Sequence, residues 1–374
     1  MTTIFICIDW FYPAYKAGGP VQSIANLVAQ YQRPDTRFKI FCSNADLDGT
    51  IVKGVAFDKW VNYNAFTQVW YASKANQKIK FIKDELKRSE TDILFINGIY
   101  SWYFNIVPLF FCKAPRKIIS VRGMLHPGAL GQKPLKKKIY LWWWKIAGVH
   151  RRCQFHASNE DEKLFIQRIL GRQTTVFVAS NFPRVLSLQT ATGKETGSLQ
   201  LVSVALISAM KNYLPVFQAL ANCAENITYD IYGPVKDKDY WQACLEQVKR
   251  LPSNIVVNYH GDIEPAKIES ALSGSQVFIL PSKSENFGHA IYEALSSGKP
   301  VITSNKTPWN NLKDQKAGMN ITVENAGELE NAISFFAAME QEEFSEWNKG
   351  ARQYALNAID IDAIKKQYDE MFIA

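Results

Sequence analysis

Short, wholly apolar runs alternate with helix-period stretches along the entire chain, and this alternation limits the possible folds more than any other feature. In the first half, Thr3–Ile8, Arg37–Ser43, Asp92–Asn97, Lys117–Val121 and Thr175–Ser180 read as strands. In the second half, Leu199–Leu206, Ile227–Gly233, Asn254–Gly261, Ser275–Ser282 and Lys299–Ser304 do so. Apolar strands separated by helices belong in parallel sheets covered on both faces. A chain of 374 residues exceeds one ordinary core. Two such series therefore predict an α/β protein of two doubly wound domains. The boundary is expected in the polar, glycine-containing stretch Arg184–Ser198, which gives domains over residues 1–185 and 186–359.

The charge is divided unevenly. Residues 1–185 hold 27 Lys and Arg against 12 Asp and Glu, and the remainder holds 16 against 23. The basic half is expected to meet something anionic, such as a membrane, a phosphorylated acceptor or nucleic acid. Six cysteines, Cys7, Cys42, Cys112, Cys153, Cys223 and Cys244, form no C-x-x-C pair, and several lie in apolar runs. They are expected to be buried thiols in a reducing, cytoplasmic compartment. No signal peptide is read at the N-terminus, where Asp9 follows the first apolar run. Ile93–Cys112 has the length of a membrane span and no charge, yet Asn97-Gly98 and Pro108 break it. It reads as a buried strand, a turn and a covered helix.

The stretch Ser284–Val301, SENFGHAIYEALSSGKPV, places Glu285 and Glu293 on either side of a Phe-Gly pair. A strand ends at Pro281-Ser282, and a helix is expected from about Gly288 to Ser297 with Gly298 as its stop. Ile291, Ala294 and Leu295 form its apolar stripe, so Glu293, about 200° round the helix from Ile291, is expected to point away from the core. Ligands of open α/β sheets sit at the carboxyl ends of the strands. The N–H groups of Asn286, Phe287 and Gly288 at the helix start suit a phosphate. Carboxylates accept hydroxyl hydrogen bonds well. Acids flanking an anion site therefore suit a nucleotide sugar, and ordinary surface acids are the alternative. Burial of the two side chains in separate ion pairs, or their exposure to bulk solvent far from any gap between the lobes, would sink the sugar-transfer reading.

The same stretch, with ILPS before it and G-K-P-V and T-P-W after it, resembles the E-x7-E region of family 4 (group 1) retaining glycosyltransferases. The resemblance implies the GT-B fold, two Rossmann-like domains facing a cleft. It implies that Glu285 contacts sugar hydroxyls, that Glu293 holds the ribose, and that Asn286, Phe287 and Gly288 meet donor sugar and phosphate. YPAYKAGGPVQSIANL resembles the N-terminal glycine loop, with Gly18 and Gly19 toward phosphate. IYGP and YHGDI resemble the strand ends that line the nucleotide, with Gly233 there and the backbone of Ile263 a candidate for base recognition. VRGMLHPGAL resembles the acceptor-side segment, with Arg122 where the family often has histidine and His126 nearby. Both are kept as acceptor-side or catalytic candidates. Lys211 in VALISAMKN matches a phosphate-gripping lysine, but Leu206 stands where the family's arginine would be. Loss of that contact is worth on the order of 1.5–3 kcal/mol. The C-terminal helix, residues 360–374, is expected to pack back on the first domain.

The implied reaction moves a sugar from a nucleotide-sugar donor to a hydroxyl acceptor with retention, Lys211, Gly18, Gly19 and the helix start stabilising the leaving phosphate. The second domain would bind the donor and the first the acceptor, a lipid-linked or growing surface glycan. No cofactor or metal is expected: the acidic pairs at Asp46–Asp48, Asp237–Asp239 and Asp360–Asp362 are too common to assign. No nucleic-acid role is expected. In Lys133–Arg152, Leu135, Ile139, Trp142 or Trp143, Ile146 and Val149 trace one helical face beside many lysines. This predicts peripheral docking on an anionic inner membrane face, against a charged helix with its tryptophans in the core. The rivals to transfer are an epimerase or hydrolase of the same fold, and a catalytically weak nucleotide-sugar-binding relative.

Overall fold

The structure, a computed structural model, describes residues 1–126, 130, 134–188, 193–323 and 325–373. The chain divides into two compact units, residues 1–182 with 361–374, and residues 183–360.

The first unit is built on β1 (Thr2–Cys7), α1 (Gly19–Gln30), β2 (Thr36–Ser43), β3 (Trp60–Asn64), β4 (Thr67–Ala72), α2 (Ile79–Arg88) and β5 (Ile93–Asn97). It continues with α3 (Val107–Phe111), β6 (Arg116–Ser120), α4 (Pro134–Ile146), α5 (Val149–Arg152), β7 (Gln154–Ala157), α6 (Glu160–Leu170) and β8 (Val176–Val178). The eight strands run in the order β3-β4-β2-β1-β5-β6-β7-β8, parallel except for the antiparallel pair β3–β4. β5 is buried along its whole length, as a strand with helices over both faces must be. Ile93–Cys112 is thus a buried strand, a turn, a π-helical turn at Trp102–Ile106 and the short α3. Among the described residues no helix is long and apolar enough to cross a membrane.

The second unit contains β9 (Ser198–Val204), α7 (Tyr213–Leu220), β10 (Asn226–Tyr232), α8 (Lys238–Val248), β11 (Ile255–Tyr259), α9 (Ile268–Ser273) and β12 (Val277–Leu280). After these come α10 (His289–Ser296), β13 (Val301–Ser304), β14 (Gly318–Ile321), α11 (Ala326–Ala338) and α12 (Gln341–Ala358). Six parallel strands run β11-β10-β9-β12-β13-β14. The helix α13 (Ile361–Phe372) belongs to the first unit. All six cysteines are buried and free.

Several elements differ from the sequence reading. The strands β3, β4, β7 and β14 are not among the expected ones, and Val149 does not continue the α4 face. α4 ends at Ile146, Gly148 turns left-handed, and Val149 is buried at the start of α5. A glycine in the left-handed region stops a helix at little cost, which periodicity alone does not register. Positions 127–129 of the acceptor-side stretch, 133 of the basic stretch and 189–192 of the expected boundary lie outside the described residues.

Candidate functional site

In the second unit the chain leaves β9 toward β10 on one side, while β12 lies on the other side of β9 and leads to β13. The loops that follow β9 and β12 therefore diverge, and this switch point is where an open sheet forms a crevice. Lys211 sits in the first loop and Glu285 in the second. Lys211 Nζ donates to Glu285 Oε1 at 2.5 Å, so one ion pair spans the switch point. The backbone fixes the geometry. Lys283 N donates to Met210 O at 2.9 Å, and Glu285 N donates to Lys306 O, in the loop after β13, at 3.3 Å. Leu206 is half-buried in the first loop. Lys283 and Lys306 are exposed and form no ion pair among the described residues.

Gly288 caps α10 with φ at +77°, a conformation that favours glycine. A Cβ there would meet Ile291 Cδ1 and Trp309 Nε1, both at 3.2 Å. Trp309 Nε1 donates to Phe287 O at 2.6 Å, locking the turn that leads into the helix. Five residues along the chain, Glu293 is buried, with 4% of its surface exposed, which corrects the expectation that it points away from the core. α10 is covered by α12 as well as by the sheet, with Asn348 Nδ2 donating to Gly298 O at 2.7 Å and Arg352 bonding Ser296 O. The side opposite Ile291 is therefore interior too. Arg184 Nε lies 3.5 Å from Glu293 Oε1, an ion-pair distance, and Oε1 has no hydrogen-bond partner. Burial pushes the Glu293 carboxyl up to about 7, against the opposing pull of Arg184. Arg184 Nη2 also donates to Pro265 O at 3.1 Å, which ties Glu293 to the loop that carries the half-buried Ile263.

Both acids are thus in ion pairs, the condition that counts against two open, hydroxyl-gripping carboxylates. The Lys211–Glu285 pair is direct, whereas the Arg184–Glu293 pair leaves Glu293 Oε1 without a hydrogen bond. Lys211 is itself a phosphate-site candidate, so the two residues meet where one ligand would touch both. Glu293 keeps an unsatisfied buried oxygen, as do Asn212 Nδ2 and Ser282 Oγ their own unpaired atoms in the same two loops. Buried polar atoms without partners are uncommon, and those carried on the loops of a switch point suit a polar ligand. Gly233 is placed by packing: its φ is +142°, and a Cβ would lie 1.9 Å from Ala205 O. Among the described residues no group of His, Cys, Asp and Glu is arranged to hold a metal.

In the first unit, Gly18 caps α1 with φ at +67°, and a Cβ at Gly18 or Gly19 would meet nothing within 4 Å. Asp46 fixes the approach to this turn by accepting from Tyr15 N at 2.9 Å and Lys16 N at 3.2 Å. Arg122 follows β6, with its Nε donating to Asn97 Oδ1 and its Nη1 to Asn181 Oδ1, both at 2.6 Å. Burial lowers its pKa. Behind it Glu162, which the sequence does not single out as a site residue, accepts from Gly123 N at 2.5 Å and Ser158 N at 2.7 Å. His156 is buried, its Nε2 donating to Ala179 O at 2.8 Å. Burial and Arg122 hold its pKa down to about 3, so it stays neutral. His126 stands edge-on to Phe165.

Residues 187–354 match the family model described as glycosyl transferases group 1. The matched stretch is less than half of the chain. It coincides with most of the second unit and includes Lys211, Glu285 and Glu293. No curated protein sequence matches the chain significantly. Solved structures match over both units. Sucrose-phosphate synthase from Thermosynechococcus elongatus superposes with a TM-score of 0.73 at 14% identity, covering 100% of this chain and 98% of that one. Anabaena HepE in complex with UDP-glucose gives 0.70 at 16% identity, covering 99% of each chain. WaaG, a glycosyltransferase involved in lipopolysaccharide biosynthesis, gives 0.68 at 12% identity and 99% of each. At such identities the likeness establishes the fold, that of GT-B glycosyltransferases.

Proposed function

We propose that the protein transfers a sugar from a nucleotide-sugar donor to a hydroxyl acceptor, with retention of configuration. The observation that carries this reading is the Lys211–Glu285 pair across the β9–β12 switch point, inside the group 1 segment. In the proposed donor complex Lys211 leaves Glu285 and turns to the diphosphate. The freed carboxylate accepts from sugar hydroxyls. Glu293 accepts from the ribose once Arg184 yields. The loop at Ile263 meets the base. Lys283 and Lys306, whose backbones are bonded into the same loops, supply the positive charge that Leu206 does not. HepE, crystallised with UDP-glucose, makes uridine donors the first to test.

The first unit is proposed to take the acceptor, a lipid-linked or growing glycan, with Gly18 and Gly19 facing phosphate. α4 supports contact with an anionic membrane. Leu135, Ile139, Trp142 and Ile146 are 70%, 58%, 64% and 63% exposed on one stripe, while Trp144 is buried. Lysines 136, 137, 138 and 145 flank that stripe.

The test is thermal stabilisation of the full chain by UDP-, GDP- and ADP-sugars, repeated with Glu285→Ala and Glu293→Ala, followed by NMR of the product anomer. One donor is expected to raise the melting temperature, and both substitutions to weaken the effect. Stabilisation by no donor sinks the reading. The two ion pairs and Leu206 favour one rival, a weak donor-binding relative. Tight donor binding without turnover across a broad acceptor panel identifies it.

A further inference from the structure

The first unit also carries a pocket lined by none of the residues assigned to sugar transfer. It has a volume of about 820 Å³, and its wall is formed by α5, the C-terminal end of α6 and the residues that open β6, β7 and β8. Strands of a parallel sheet all begin at one edge, and a five-residue strand such as β6 spans roughly 15 Å. The pocket therefore lies at the edge opposite Arg122 and the Gly18 turn, which follow the strands' C-terminal ends.

Its wall contains Arg116, Lys117, His150, Arg151, Arg152 and Arg172, and no carboxylate. Two of these cations are engaged. Arg116 Nη2 donates to Gln154 Oε1 and Met371 O at 3.0 Å, and Lys117 Nζ donates to Leu109 O and Cys112 O at 2.7 Å. Arg151, Arg152 and Arg172 are exposed and have no ion-pair partner among the described residues. Two polar atoms of wall residues, His150 Nδ1 and Thr174 Oγ1, have no hydrogen-bond partner, and Thr174 is 3% exposed. The sequence supplies no counter-charge locally: between Asp92 and Glu160 there is no acidic residue and there are 11 Lys and Arg.

Cations gathered without acids repel one another, and a bound anion relieves that repulsion. Guanidinium groups present paired donors that match phosphate oxygens. The volume exceeds what one phosphate fills and falls in the range of small-molecule sites. We propose that this pocket is a second ligand site, for a group presenting phosphates, separate from the donor site. The chemistry is the same whether the phosphate is borne by an anionic lipid headgroup or by a soluble oligophosphate. The proposal does not depend on the glycosyl-transfer reading.

The experiment uses the full chain, the variant Arg151→Ala/Arg152→Ala/Arg172→Ala, and a charge-matched control, Arg250→Ala/Lys313→Ala/Lys349→Ala, made in the second unit. One arm titrates inorganic tripolyphosphate by calorimetry. The other measures cosedimentation with phosphatidylcholine vesicles with and without phosphatidylglycerol. The pocket variant is expected to lose about tenfold or more in at least one arm, since it removes several charge-assisted contacts at once, while the control stays near wild type. Loss confined to tripolyphosphate identifies a soluble ligand, and loss confined to vesicles identifies a lipid headgroup. A second variant, all three arginines changed to lysine, separates recognition from bulk charge by losing affinity at constant charge. Equal losses in pocket variant and control, or no loss in either arm, overturn the site.

Discussion

Glu293 carries a charge that its surroundings oppose. Its folded pKa, about 7, lies above the ordinary glutamate value because burial outweighs Arg184. A raised carboxylate pKa favours the folded state below the unfolded pKa, and that contribution is lost as pH rises through about 7. Glu293→Gln should therefore flatten the pH dependence of urea midpoints between about pH 4.5 and 7 and raise stability above that range by up to about 3 kcal/mol. It should also weaken the donor-induced shift, a trade of stability for function. Unchanged midpoints at pH 8 would show that the carboxylate is better solvated than its burial implies. Lys211 and Glu285 give a second test. If the lysine must leave the acid to meet phosphate, Glu285→Gln should tighten the bare nucleoside diphosphate by about tenfold, removal of one charge-assisted contact, while weakening the nucleotide sugar. Calorimetry with both ligands separates the two, and parallel changes would contradict the exchange. The placement of Glu285 in the loop after β12 and of Lys211 ahead of the first helix of the second unit was legible because residue type and motif spacing fix both locally. The burial of Glu293 was not, because the helix covering α10 comes from more than 40 residues later, at Gln341–Ala358. Arg184 was hidden by the polar stretch around it, which looks like a linker.

At the scale of elements, the turn into α10 depends on a residue without a side chain. Gly288→Ala places a methyl 3.2 Å from both Trp309 Nε1 and Ile291 Cδ1 at a positive φ. It should cost about 1–2 kcal/mol and loosen the Trp309–Phe287 bond. Indole fluorescence and donor affinity should change together, and a silent substitution would mean that the turn does not hold the site. α4 makes the contrasting case. Changing Leu135, Ile139, Trp142 and Ile146 to serine removes only exposed apolar surface, so the melting temperature should hold while vesicle flotation falls. A drop in melting temperature with flotation intact would mark the stripe as a protein contact. The stripe was readable from its spacing, and the burial of Trp144 among three consecutive tryptophans fits the same periodicity. β4, TQVWYA, is a largely buried run of the readable kind, but its partner β3 was not readable. β3, WVNYN, is mostly half-exposed and polar, and an edge strand needs no apolar run.

At the scale of the whole molecule, the doubly wound plan was visible because strands covered on both faces must be continuously apolar, as ILFIN and VFIL are. What no local pattern could fix is how the chain's last helix completes the first unit. α13 buries Ile364, Tyr368, Met371 and Phe372 there, with Tyr368 stacked on Phe182 and the Phe372 ring edge-on to Tyr31, Phe38 and Phe95. Tyr31 donates to Asp369 at 2.7 Å, and Ser180 N donates to Gln367 Oε1 at 2.9 Å. Each buried apolar side chain contributes about 1.5–3 kcal/mol, so four together rival a domain's net stability of about 5–15 kcal/mol. A chain ending at Asp360 should consequently lose the first unit and keep the second. Limited proteolysis should digest residues before Pro183 rapidly and leave a resistant fragment over 183–360, whereas the full chain should resist at both. If the shortened chain protects residues 1–182 as well as the full one does, the first unit's core closes without α13, and its burial there is an addition to a finished fold.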